Sequence, residues 1–378
     1  MNRLIIIGNG FDLAHGLKTS YHDFILDYLK ERLLLALDDL RQNNKSPHNR
    51  FYYFKDELIE LKIEFFYPKE SYLPIFEKIE KVSELNDLYK KLGIEVIYHF
   101  EMLKKGVEKL TEYNWVDFEL EYFDELLKIK AKKVNEESRI KTLNSNFEIF
   151  KSKLEIYLSK LEDSFYHNFD REMLVDCFSE KILSRDVDIM SIADESPKRI
   201  LFLNFNYTNT LEPYIRDCNQ MGIQTEINHI HGALRYDVGK PIFGFGDEID
   251  KRYSEFENEG NTELFKHIKT FEYLKTNNYS NLTRFLAIEQ FQVQIYGHSC
   301  GLSDRTMLKE IFEHSNCLSI KIFYHEKEKG INDYTEKTYE IYRHFTDKNT
   351  MRNKVVNEKY CRAMPQPIMN KDKEIRVK

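Results

Sequence analysis

The run Leu4-Ile5-Ile6-Ile7 passes without a break into Gly8-Asn9-Gly10-Phe11-Asp12. Four consecutive apolar residues, three of them β-branched, have no polar face to offer water. They read as a strand buried on both sides of a parallel sheet. The two glycines permit a tight turn and a close approach of the backbone to a neighbour or ligand. A helical pattern follows at once, and a helix N-terminus presents N–H groups to an anion. Strand, Gly-x-Gly turn and helix together open many nucleotide-phosphate sites. The third glycine of the dinucleotide fingerprint would stand at position 13, which is Leu13. An ordinary dehydrogenase loop is therefore excluded.

Further strands end in a similar style. Ile200–Asn204 runs into Asn204-Phe205-Asn206-Tyr207-Thr208-Asn209, and "TEINHIHGAL" ends at His231-Gly232. "KPIFGFGDEID" reads as a strand closed by glycines, and "CLSIKIFYH" as another strand. "QVQIYGHSCGLSD" reads as strand, glycine loop and helix start, with Ser303 as cap. In open parallel sheets, ligands sit beyond the carboxyl ends of the strands. Clustered Asn suits a loop that hydrogen-bonds a ligand or itself. His229 and His231, two apart in a strand, face one side. His231, at the strand end, is the better placed to take a proton near neutral pH. Each motif also has a plain reading as turn, cap or core chemistry.

The intervening sequence is charged and helical in pattern, and no strand is expected in it. "SNFEIFKSKLEIYLSKLEDSFY" places Phe147, Phe150, Leu154, Leu158, Leu161 and Phe165 on one face, with Ser145 and Glu148 at capping-box spacing. "YNWVDFELEYF", with Trp115, Asp117 and Glu119, reads as core packing or as a cap over the site. The expected fold is α/β: a Rossmann-like, doubly wound, mostly parallel sheet with a large helical insertion. Residues 1–24 and 197–348 form its discontinuous core, 25–196 the helical insertion, and 349–378 a loose, basic, polar tail.

Composition narrows the function. A net charge of −7 lacks the basic excess of a general nucleic-acid binder. The five cysteines form no CxxC pair, which points to reduced thiols in a cytoplasmic protein. No stretch approaches the roughly 20 apolar residues of a membrane span, so no membrane partner is expected. A metal-dependent nuclease would use His229, His231 and Asp247 as ligands, without an accompanying carboxylate cluster.

The strings "IIIGNGFDLAHGLKTSYHDF", "FNYTNTLE", "HIHG" and "YGHSCGLSD" resemble the AbiH family of bacteriophage abortive infection proteins. Their order is also similar to a divergent sirtuin-type NAD-binding core. The resemblance implies that NAD is the substrate and that no metal is needed. It implies a cofactor loop of Gly8, Asn9, Gly10, Phe11, Asp12 and Gly16, with Gly16 as the later glycine. Asn206 and Asn209 are its alternative catalytic Asn residues, and His231 matches its catalytic base. Gly297, His298, Ser299 and Asp304 match the loop around the adenosine ribose. Phe11-Asp12 stand where sirtuins carry Ser, and the four-cysteine zinc module is absent, so peptide deacetylation is not expected. The implied reaction is hydrolysis of NAD to nicotinamide and ADP-ribose by a defence effector. The alternative is a sensor that binds NAD or ADP-ribose without turnover and signals through the helical region. That region is also where a homo-oligomer, a phage-derived trigger or a partner protein would act.

Overall fold

The structure is a computed structural model describing residues 1–42, 51–64, 76, 78–109, 114–164, 169–187, 194–234 and 239–367. Its strands are β1 (Asn2–Ile7), β2 (Phe51–Lys55), β3 (Ile59–Glu64), β4 (Ile94–Tyr98), β5 (Arg199–Asn204), β6 (Gln224–His229), β7 (Phe291–Tyr296), β8 (Cys317–Tyr324), β9 (Glu326–Glu328), β10 (Ile331–Asn332) and β11 (Arg362–Ala363). The chain forms two compact units. One comprises Met1–Lys18, Leu158–Asn261 and His267–Lys378; the other comprises Thr19–Tyr157 and Thr262–Lys266.

The first unit is built on a six-stranded sheet of order β11-β8-β7-β1-β5-β6. Every pairing in it is parallel. Counted along the chain, these strands lie in the order 3-2-1-4-5-6, that of doubly wound dinucleotide-binding sheets. The order reverses between β1 and β7, where Ile7 pairs with both Asn204 and Tyr296. Gly8 begins where that pairing ends.

Period-two alternation sends β1 into two cores. Leu4 and Ile6 join Leu203, Val293, Ile295 and Ile320 under the helices Asn278–Ile288, Arg305–Glu313 and Tyr334–His344. Ile5 and Ile7 join Phe202 on the opposite face, under Asn9–Ala14, Glu172–Ser179 and Glu212–Gln220. Because helix Glu172–Ser179 buries Leu174 and Phe178 on this face, the first unit reaches back to Leu158, well before the expected boundary at 197. Arg3 ties this helix down. Its guanidinium, buried within β1, donates to Phe178 O (2.6 Å) and Gln292 Oε1 (3.1 Å). Burial pulls its pKa down to about 10.

The second unit is not wholly helical. Strands β2, β3 and β4 form an antiparallel sheet within it, correcting the expectation of no strands. The signal was the alternation Ile59, Leu61, Ile63, buried on one face of a short, charged strand. Helix Glu136–Ser164 begins upstream of Ser145, so Ser145 and Glu148 are interior and cap nothing. Phe147 and Phe150 stack on Phe118, with centroids 6.0 and 4.2 Å away. Leu154 and Leu158 are buried and Leu161 half-buried, whereas Phe165 lies outside the described residues. The half-buried Trp115 indole donates to Thr19 O (3.0 Å) and meets Tyr21 edge-on, so it packs within this unit. Asp117 closes a capping box with Asn114, and Glu119 is buried.

Two more expectations change. "KPIFGFGDEID" forms no strand of the sheet: Pro241 lacks an N–H, and the segment makes a single bridge, Phe245 to Ile268. The expected loose tail is partly structured. Helix Lys348–Lys354 is followed by β11, which pairs with β8, and Met364 N donates to Tyr324 O (2.8 Å). Residues 368–378 lie outside the described set. Met364 is buried in the second core. Met364→Ala is therefore expected to cost about 2–5 kcal/mol, read as a lower thermal midpoint. A loose tail would show no change.

Candidate functional site

The carboxyl edge of the sheet is organised by the meeting of the β1 and β7 loops. Gly8 N donates to Tyr296 O (3.0 Å), and Gly10 N to Gly297 O (2.8 Å). A Cβ on Gly8 would lie 2.5 Å from His298 Cα, and one on Gly10 2.8 Å from Gly297 Cα. Gly297 has φ +65°, and its Cβ would lie 2.2 Å from Phe11 N. The glycines thus let two backbones touch. Phe11 N also donates to Gly8 O (2.8 Å), so the N–H groups of Gly8, Gly10 and Phe11 are all engaged by protein carbonyls. The Phe11 side chain belongs to the core with Phe178 and Tyr214. Gly16, φ +80°, ends helix Asn9–Ala14 by donating to Leu13 O.

Beside this junction lies Asp12. Thr208 Oγ donates to Asp12 Oδ2 (2.7 Å), while Asp12 Oδ1 is buried with no hydrogen-bond partner among the described residues. Asn206 Nδ2 donates to Gly8 O (3.0 Å), which fastens the β5 loop to the β1 loop. Burial raises the Asp12 pKa to about 6, against the opposing pull of Thr208, Thr210 and Asn206. Asn209 is half-buried, and its backbone N donates to Glu162 Oε1 (2.7 Å).

A second carboxylate, Asp304, gathers the remaining residues. Lys269 Nζ donates to its Oδ1 at 2.8 Å, and His231 Nε2 lies 3.1 Å from the same oxygen. Ser303 Oγ is 3.4 Å and His298 Nε2 4.0 Å from Oδ2. Tyr273 Oη is 3.1 Å from His231 Nε2. The Phe205 ring packs on both imidazoles, with centroids 4.9 Å from His231 and 4.2 Å from His298. Cys300 N donates to His298 Nδ1 (3.0 Å), which places the proton of that ring on Nε2. Burial lowers the His298 pKa to about 3 and lowers that of His231, where Lys269 adds to the effect. Asp304, although buried, is held well below the usual carboxylate range, chiefly by Lys269 and then by His231.

The edge therefore brings together Gly8, Gly10, Asp12, Asn206, His231, Gly297, His298 and Asp304. Phe11 is core, Gly16 is a helix stop, and Ser299 is exposed. His229 diverges from His231, because β6 ends at His229 and the chain then turns. Asp247 pairs with Arg305 (3.3 Å). Among the described residues, no group of three His, Cys, Asp or Glu is placed to hold a metal ion. Sequence reasoning missed Lys269, Tyr273, Phe205 and Thr208. The last two lay inside a motif already noted; the first two carried no local signal.

The model of the family described as Bacteriophage abortive infection AbiH matches residues 4–326. The chain belongs to this family. No curated protein and no solved structure gives a significant match. No helix among the described residues is long and apolar enough to cross a membrane.

Two expectations follow. Gly297→Ala combines about 1–2 kcal/mol of left-handed backbone strain with a clash against Phe11 N. It should lower the thermal midpoint clearly more than Gly16→Ala, where the strain is similar and no atom lies within 4 Å of the added Cβ. Asp12 has a folded pKa above its unfolded one, so the unfolded chain releases that proton first and stability falls as pH rises from about 4 to about 6. Asp12→Asn should match the parent chain near pH 4 and exceed its stability above pH 6, by at most about 3 kcal/mol in denaturant titrations.

Proposed function

We propose that this chain is an antiphage effector that hydrolyses NAD to nicotinamide and ADP-ribose at the carboxyl edge of its parallel sheet. The observation that carries the reading is the placement of Asn206 against the β1 loop, of His231 against buried Asp304, and of buried Asp12 along the carboxyl edge of a sheet whose strand order reverses beside Gly8. That crevice is where open α/β sheets bind dinucleotides. The bond to be cut joins C1′ of the ribose to the cationic ring nitrogen of nicotinamide. It breaks with its electron pair passing to that nitrogen, through an oxocarbenium-like sugar. Water adds to C1′ and gives up a proton. In this reading His231 accepts it, being neutral at physiological pH because burial disfavours its charged form.

Asn206 orients the ribose or the water from its fixed position against the β1 loop, with Asn209, three residues further along the same loop, as the alternative. Asp12 lends negative charge to the developing cation once it ionises. The N–H of Gly10 is occupied by Gly297 O, so pyrophosphate recognition by that group requires the two loops to part.

Purified protein incubated with NAD, with and without EDTA, provides the test. Nicotinamide and ADP-ribose should appear under both conditions. His231→Ala should lower the rate by about 10²–10⁴-fold, the worth of a positioned base, while keeping the fold. Unaltered turnover in that variant would refute the assignment. Saturable NAD binding without turnover would instead support the sensor reading.

A further inference from the structure

We infer that His231 works through Nδ1, and that Asp304, which resemblance assigns to cofactor binding, is instead a positioning residue that fixes the tautomer of His231. As a statement about catalysis this rests on the NAD reading; as a statement about the ring it stands alone. His231 Nε2 lies 3.1 Å from Asp304 Oδ1, an oxygen that already accepts from Lys269 Nζ. An unprotonated Nε2 would set its lone pair against that carboxylate oxygen. A protonated one donates to it and can share the proton with Tyr273 Oη at the same distance. The proton therefore sits on Nε2.

The other nitrogen is then the acceptor. His231 Nδ1 has no hydrogen-bond partner among the described residues and is not fully enclosed, so in a ring whose side chain is only 7% exposed it is the nitrogen left to accept a proton. Lys269 completes the device. Its side chain has 0% exposure and that of Asp304 has 6%, so the cation holds the carboxylate ionised where burial alone would favour its acid. Phe205 packs edge-on against the imidazole and limits its rotation. When Nδ1 takes a proton from water, the imidazolium that forms already donates to an ionised carboxylate.

The test reads the ring directly. In full-length protein with 15N-labelled histidine, two-bond 15N–1H correlations near neutral pH report which nitrogen is protonated, and His231→Gln assigns the signals. The expected result is an Nε2–H tautomer for His231. The double variant Asp304→Asn with Lys269→Met leaves no unpaired buried charge, and it should give a mixture of tautomers. A proton on Nδ1 in the parent protein, or an unchanged tautomer in the double variant, would overturn the inference. With NAD as substrate, the same variant should lose kcat by about 10²-fold or more while keeping KM. Absence of all hydrolysis would remove the NAD reading and leave the tautomer result standing. Hydrolysis with the wrong tautomer would do the reverse.

Discussion

Gly10 donates to Gly297 O across the gap between β1 and β7, and the rest of the carboxyl edge follows from how closely this draws the two loops together. The sheet fixes the first part of the approach, since Ile7 pairs with Tyr296 and both strands are buried on both faces. The missing Cβ atoms of Gly8, Gly10 and Gly297 fix the rest. Once the loops touch, His298 is set behind Phe205, and the Cys300 N–H locks its tautomer. The chain then turns through Ser303 and Asp304 into helix Arg305–Glu313, which delivers Asp304 beneath His231. The carboxylate that meets the candidate base thus takes its place through backbone contact between β1 and β7, neither of which carries that base.

Asp304 and Lys269 make an ion pair with almost no exposure. Such a pair gains little over well-packed apolar side chains, because taking both charges out of water offsets most of their attraction. A core that needed only stability would be better filled with Leu and Met. The pair also sits against two imidazoles and a tyrosine, at the carboxyl end of the sheet, the end at which open α/β sheets hold ligands, and perturbed groups gather at functional sites. Arg3 offers the contrast. It is equally buried, but it lies at the opposite end of the sheet and spends its donors on Phe178 O and Gln292, which is a fastening role.

Much of this edge was legible because strand ends announce themselves. An apolar or alternating run that stops at glycine, Asn or His marks both a strand and its carboxyl terminus; β1, β5 and β7 were readable in this way, and β6 was read as a strand but ends at His229, two residues before the expected His231. The purpose of the glycines was not. A sequence shows that a Cβ is absent, not whether a ligand or another loop takes its place, and here Gly297 and His298 take it. Lys269 and Tyr273 were invisible for a different reason. They lie in "HIKTFEYLK", a charged stretch whose local pattern is that of any solvated helix, and only the tertiary fold turns Lys269 inward. Strands β2 to β4 were missed because five or six alternating residues among lysines and glutamates give a weak period-two signal beside strong helical neighbours. The polar tail misled in the same way: composition described its surface and concealed that Met364 is core.

Two carboxyl groups on one edge, in opposite surroundings, suggest a division of labour. Asp304 faces a buried ammonium and two imidazoles, and it stays ionised throughout the physiological range. Among the described residues no cation stands beside Asp12; hydroxyl and amide donors only partly offset its burial, and its pKa is raised to about 6. Environments that push two acids apart are how one site assigns distinct roles to the same functional group. A permanently charged Asp304 is suited to hold an imidazole in place and is a poor proton carrier. Asp12, its pKa raised to about 6, has an oxygen without a partner among the described residues and is joined through Thr208 to the loop that carries Asn206. Its charge appears at little cost, so it can answer a positive centre that exists only while a bond is breaking. In the proposed reaction that centre is the ribose carbon, and the two carboxyls stand on the two tasks the chemistry separates: one orients the base, the other meets the cation.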